Sequence, residues 1–187
     1  NNCPNCLESE EPVYDLDYEG CYNSGDLDVI RDFLSHSLGS FGNPPLDLDP
    51  WKLGHQYWEN GRLKTFCCAG EDISFFEPLS GLGACYTECG YSFNNMFITE
   101  SMGLLSQLDT LVLHQTYLGG TIPNTISELT ELEVLFLTYN SITGALPDSI
   151  GNLQNLEYFS ILENELDGLL PESFWNLTNL VLADISN

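Results

Sequence analysis

The stretch NSITGALPDSIGNL (residues 140–153) decides the fold. Within it Asn140, Ile142, Gly144, Leu146 and Pro147 set an order of Asn, apolar, Gly, apolar, Pro. The same order returns 24 residues later as Asn164, Leu166, Gly168, Leu170 and Pro171, and stands 24 residues earlier as Thr116, Leu118, Gly120, Ile122 and Pro123. Four apolar columns keep that step: Leu105, Leu129, Leu153, Leu177; Leu108, Leu132, Leu156, Leu180; Leu111, Leu135, Phe159, Ala183; and Leu113, Leu137, Ile161, Ile185. A helix cannot hold such a frame without slipping, whereas a stacked coil with one turn per repeat can. The Asn can satisfy backbone groups where the chain leaves a strand, the Gly permits positive φ, and the Pro fixes the next extended segment.

The 187-residue chain carries 28 acidic and 4 basic side chains, a net charge of −24. The bases are Arg31, Lys52, Arg62 and Lys64, so residues 91–187 hold no Lys or Arg. Such a surface repels phosphate backbones and anionic bilayers, which argues against nucleic acid as a partner. No run of apolar residues is long enough to span a membrane, so no membrane insertion is expected. The chain begins at Asn1, without Met or an apolar leader, and reads as a processed form or a fragment.

Cys3, Cys6, Cys21, Cys67, Cys68, Cys85 and Cys89 all precede the repeats. Their clustering points to disulfides and an oxidising, extracellular compartment; six could form three bridges and leave one over, and the sequence does not fix the pairing. The alternative for Cys3, Cys6, Cys85 and Cys89 is a four-thiolate zinc site. Asn176-Leu177-Thr178 is a glycosylation sequon that fits the same compartment. Asp15, Asp17, Glu19, Gly20 and Asp26 fall in an EF-hand-like register, which makes calcium a further cofactor to weigh. Pro12 opposes an entering helix, the twelfth position is Asp, and Cys21 is better used in a bridge, so an acidic segment without a cofactor is the preferred reading.

Upstream of the repeats, GDLDVIRDFLSHSLG (residues 25–39) predicts an amphipathic helix, capped by Ser24 or Asp26 and ended by Gly39. Asn60-Gly61 predicts a hairpin turn.

LTELEVLFLTYNSITGALP (residues 129–147) resembles plant-type leucine-rich repeats, which also occur in algae and other protists. DLDVIRDFLSHSL (residues 26–38) and WENGRLKTFCC (residues 58–68) are similar to the N-terminal cap of that family, with the adjacent Cys67-Cys68 pair as a departure from the land-plant form. The resemblance implies an α/β solenoid: a right-handed coil with a parallel concave sheet behind a disulfide-bearing helix-plus-hairpin cap. It divides the chain into an acidic segment (1–25), a cap (26–90) and repeats (91–187), three full and one truncated. Relatives of this kind are receptor ectodomains, secreted inhibitors of wall-degrading enzymes and matrix proteins, so the resemblance implies binding or scaffolding.

In such a coil, function falls to the strand positions that the frame leaves free. The expected ligand-binding residues are Val112, His114, Glu133, Phe136, Tyr139, Glu157, Tyr158 and Leu162, facing a protein or glycan partner. Asp109, Glu133 and Glu157 stack in one acidic column, which reads first as a solvated acidic edge and alternatively as a site for a basic ligand or a cation. No nucleophile, metalloprotease or phosphate-loop motif occurs, so an enzyme is not expected. The alternative is a matrix or filament subunit: no polar cap follows the last repeat, and its end could stack head-to-tail on another molecule.

Overall fold

The computed structural model describes residues 10–15, 18–37, 42–70 and 89–186, with the backbone alone for those up to 21. Strands β1 (Glu10–Asp15) and β2 (Tyr18–Asn23) pair antiparallel. Helix α1 (Ser24–Ser35) follows at once, and β3 (His55–Glu59) and β4 (Arg62–Ala69) form a second antiparallel hairpin. The repeats supply β5 (Thr110–His114), β6 (Val134–Phe136), β8 (Tyr158–Ser160) and β10 (Leu182–Asp184). These join the hairpin in one six-stranded sheet of order β10-β8-β6-β5-β4-β3, parallel from β4 onward.

The register follows the sequence columns. Phe66, Leu111, Leu135, Phe159 and Ala183 lie side by side on successive strands. Leu108, Leu113, Leu132, Leu137, Leu153, Leu156 and Phe159 are fully buried or nearly so, and share one core with Ile30, Phe33 and Leu34 of α1. Each such side chain contributes roughly 1.5–3 kcal/mol on burial. The coils also touch through short 3-10 turns, at Asn124–Glu128, Ile150–Asn152 and Glu172–Asn176. There Gly151 lies so close to the next coil that a Cβ would stand 2.1 Å from the Ser173 carbonyl oxygen.

The corner of the coil is built as its composition requires. Asn140 Oδ1 accepts from the backbone N–H of Thr116 (3.0 Å) and Leu118 (3.1 Å) and from the Thr116 hydroxyl. Its Nδ2 donates to the carbonyls of Leu113 (2.7 Å), Leu137 (3.1 Å) and Thr138 (3.2 Å). Asn164 repeats this one coil on, accepting from Ile142 N–H and donating to Leu137 and Ile161. Each Asn therefore closes the turn of the preceding coil as well as its own. Next comes a second parallel pairing, of β7 (Thr143–Gly144) with β9 (Glu165–Leu166). Gly144 sits there at φ 75°, a conformation that other residues adopt at a cost.

Two expectations upstream are corrected. The cap of α1 is Asn23, whose side chain accepts from Asp26 N–H at 3.1 Å; neither Ser24 nor Asp26 fills that place. Asp26 instead points inward and is buried. It meets Arg62 in a two-pronged ion pair of 2.8 and 2.9 Å and accepts from Leu63 N–H. An EF-hand-like loop is excluded by the same residues: Asp15 and Glu19 lie on paired strands and Asp26 is committed to Arg62. Asp17 lies outside the described residues.

Candidate functional site

The frame places Thr110, Val112 and His114 of β5, Val134 and Phe136 of β6, and Tyr158 and Ser160 of β8 on the sheet face opposite the leucine columns, because side chains alternate along a strand. Solvent exposure is expected on that face, and the first two rungs differ from it. Val112, His114 and Phe136 are at most 1% exposed. Val112, Val134 and Phe136 form a second apolar cluster with Cys67 and Ala69 of β4, and Tyr158 packs at its margin. The expectation that Val112, His114 and Phe136 present themselves to solvent is therefore corrected. The sheet is buried on both faces from β4 to β6, a condition that gives parallel strands unbroken apolar runs.

His114 belongs to this buried region. Its Nδ1 and the Thr138 hydroxyl share a hydrogen bond, and its ring meets Tyr139 edge-on, with centroids 5.4 Å apart. Burial lowers its pKa from 6.5 to about 4, so the imidazole is neutral at physiological pH. Thr138, fully buried, has no aromatic or charged signal that would have singled it out in the sequence.

Beyond that region the face opens. Tyr139 is 46% exposed, Tyr158 and Leu162 are half-buried, and Glu133 and Glu157 are exposed. Tyr139 holds positive φ (55°) where the chain leaves the strand. The acidic column forms as its spacing requires: Glu133 N–H donates to the Asp109 carbonyl and Glu157 N–H to the Glu133 carbonyl, one rung apart. Burial raises the pKa of Asp109, against hydrogen bonds from Thr110 and Thr65 and the charge of Lys64. Burial also raises that of Glu133, reinforced by the charges of Asp109 and Glu157. Lys64, on β4, is the base that faces this column.

The cysteines divide in the same way. Cys67 and Cys68 are neighbours on β4 and so point to opposite faces. Cys68, on the leucine side, bridges Cys89 with Cα atoms 4.7 Å apart, while Cys67, in the second cluster, is also disulfide-bonded. Cys3, Cys6 and Cys85 lie outside the described residues, as does the Cys21 side chain. Among the described residues no three His, Cys, Asp or Glu converge to hold a metal. Asn176 and Thr178 of the sequon are exposed.

A parallel sheet with a leucine column per coil, an Asn at each corner and a short second sheet beyond it defines a leucine-rich-repeat solenoid. Residues 130–187 match the family model described as leucine rich repeat. Over 86% of this chain the fold matches a crystal structure of PEPR1–AtPEP1 with a TM-score of 0.63 at 20% identity, covering 21% of that chain. The ectodomain of the receptor kinase SOBIR1 from Arabidopsis thaliana matches over 88% of this chain and 93% of its own, at 21% identity and a TM-score of 0.50. The ectodomain of the Arabidopsis thaliana receptor kinase GASSHO1/SCHENGEN3 is 34% identical over 49% of this chain and 11% of its own, with a TM-score of 0.47. The repeat region is thus a leucine-rich-repeat coil, preceded by a cysteine-containing N-terminal region. The chain spans about a tenth of the GASSHO1 chain and a fifth of the PEPR1 chain. No curated protein matches it. Among the described residues no helix is long and apolar enough to cross a membrane.

Proposed function

We propose that the chain is an extracellular binding module, not an enzyme, and that its partner is a protein carrying a basic segment. The partner engages the third rung and the outer edge of the second. The observation that supports this is the contrast along one face: Val112, His114 and Phe136 are buried, while Tyr139, Tyr158 and Leu162 stay accessible beside Glu133 and Glu157. Aromatic rings give large contact area at low entropic cost, and the acidic column attracts and orients a cationic segment. A Lys or Arg placed between Glu133 and Glu157 would offset their mutual repulsion, which adds to the burial that raises the Glu133 pKa. A neutral glycan could use the same rings but would bring the carboxylates no positive charge beyond that of Lys64.

The test is titration with Lys/Arg-rich peptides, beside neutral glycans, of the wild-type chain and of a Tyr139→Ala/Tyr158→Ala variant. Saturable peptide binding that weakens about tenfold or more in the variant supports the reading. Undiminished binding by the variant, or a preference for neutral glycans, refutes it.

A further inference from the structure

A concavity of about 710 Å³ lies along the 3-10 turns of the last two coils, away from the sheet. Its lining includes Thr130, Asn152, Gln154, Trp175, Asn176 and Thr178. The space is open because Ser127 and Gly151, two steps and one step before Trp175, bring little side chain to it. Trp175 is 74% exposed, the most exposed aromatic ring among the described residues. It is nevertheless held in place: its ring meets the buried Phe174 edge-on, with centroids 5.7 Å apart. A fixed, solvent-facing indole is an apolar surface that gains by being covered.

What selects the occupant is the wall itself. Asn176 and Thr178, the two ends of the sequon, are both exposed and both line the concavity. The backbone that carries them is tied to the preceding coil. Gln154 Nε2 donates to the Asn176 carbonyl at 3.3 Å, and Asn179 Nδ2 donates to the Gln154 carbonyl at 2.7 Å. Thr178 N–H also donates to the Asn176 carbonyl, at 2.9 Å. A group attached to Asn176 Nδ2 therefore starts inside the concavity with Trp175 as its sequence neighbour. The tether keeps its local concentration in the millimolar range, so weak contacts suffice to hold it there. Among the described residues no charged side chain lines the space, in a chain of net charge −24. The amides of Asn152 and Gln154 and the hydroxyl of Thr130 suit the hydroxyl and acetamido groups of a neutral sugar, and the indole suits its C–H face.

We infer that this concavity seats the chain's own N-linked glycan: the first sugars attached to Asn176 fold back against Trp175 and cover it. The inference rests on the extracellular assignment and is independent of the tyrosine face.

The test uses the whole chain secreted through a eukaryotic pathway, its glycan followed by mass and by proton–carbon NMR. In the folded glycoprotein the C–H protons of the Asn-linked sugar should lie upfield of their positions in the denatured glycoprotein, with cross-relaxation to the Trp175 indole protons. Asn176→Gln, which removes the glycan, should lower Tm by about 2–4 °C, the effect of about 1 kcal/mol in a chain of this size. In a Trp175→Ala background the same substitution should lower it by less than about 1 °C, because the surface that the sugar covers is gone. The wild-type resonances report the contact even where a variant misfolds. Sugar resonances that match those of the denatured glycoprotein, or an equal Tm loss in both backgrounds, overturn the seat while leaving the extracellular assignment intact. An unmodified Asn176 overturns both, and peptide binding at the tyrosine face is judged apart from either.

Discussion

Replacing Asn140 by Ala should uncouple two coils at once. The side chain accepts from Thr116 and Leu118 N–H and donates to three carbonyls on two successive coils. Thr116 and Leu118 are fully buried, so truncation strands two N–H groups away from solvent. Each stranded group costs about 1–3 kcal/mol, and the half-buried position of Asn140 lets some water reach the carbonyls, so a loss of about 3–4 kcal/mol is expected. In urea, with a slope of about 3 kcal/mol per molar for a chain of this size, the midpoint should fall by about 1 M without a change of slope. Asn140→Asp separates the two halves of the argument. It keeps the acceptor toward Thr116 and Leu118 but sets a carboxylate oxygen against three carbonyls. At neutral pH it should be about as damaging as Ala. The carbonyls raise the folded-state pKa of that carboxyl above the unfolded value of about 3.9, so the folded state binds the proton more tightly. Relative to wild type the Asp variant should therefore regain stability as pH falls through its folded pKa. An Ala variant within about 0.5 kcal/mol of wild type would refute the claim that this amide couples the coils, because a surface substitution does no more. An Asp variant that loses further ground in acid would refute the proton linkage.

Three further outcomes are expected. His114, with a pKa of about 4 when folded against 6.5 unfolded, contributes stability that is complete above pH 6.5 and is lost as pH falls through that window. The loss is about 3 kcal/mol; thermal melts against pH should show it in wild type and not in His114→Gln. Asp26→Asn removes the charge that Arg62 meets and should cost about 2 kcal/mol in urea unfolding, below the range for a fully buried pair because Arg62 is one-third exposed. Secretion through a eukaryotic pathway should add a glycan mass to Asn176, absent in Asn176→Gln; an unmodified wild-type mass would contradict the extracellular reading.

What could be read in advance divides by range. The leucine columns and the Asn, Gly and Pro of each corner were legible because each acts within one coil or between identical coils, so periodicity alone carries the contact. Asn60 and Gly61 were legible because a two-residue hairpin needs positive φ at both positions, and they hold 50° and 76°. Asp26 was misread as a helix cap because its partner, Arg62, is 36 residues away and nothing local announces the pair. The burial of Val112 and Phe136 had a signal that went unused. LVL (residues 111–113) and VLF (residues 134–136) are unbroken in their apolar character, where a one-sided sheet would alternate.

The Cys67-Cys68 pair connects these points to the proposed site. On a strand exposed on one face, one of two adjacent cysteines would lie in solvent. On β4 both are buried, one in each cluster, because both faces of that strand are covered. The covering extends over β5 and β6 and ends at Tyr158, which is only half-buried. A partner approaching the concave face therefore meets apolar side chains already occupied over the first two rungs and accessible rings only beyond them. Substitutions at Val112 or Phe136 should then act through stability: a Phe136→Ala chain should unfold at lower denaturant, by about 3–5 kcal/mol, yet bind normally once folded. Tyr158→Ala should show the reverse, a near-native midpoint with weakened binding. If the folded fraction of Phe136→Ala loses affinity as fully as Tyr158→Ala does, recognition extends under the covered rungs, and the boundary drawn at Tyr158 is in the wrong place.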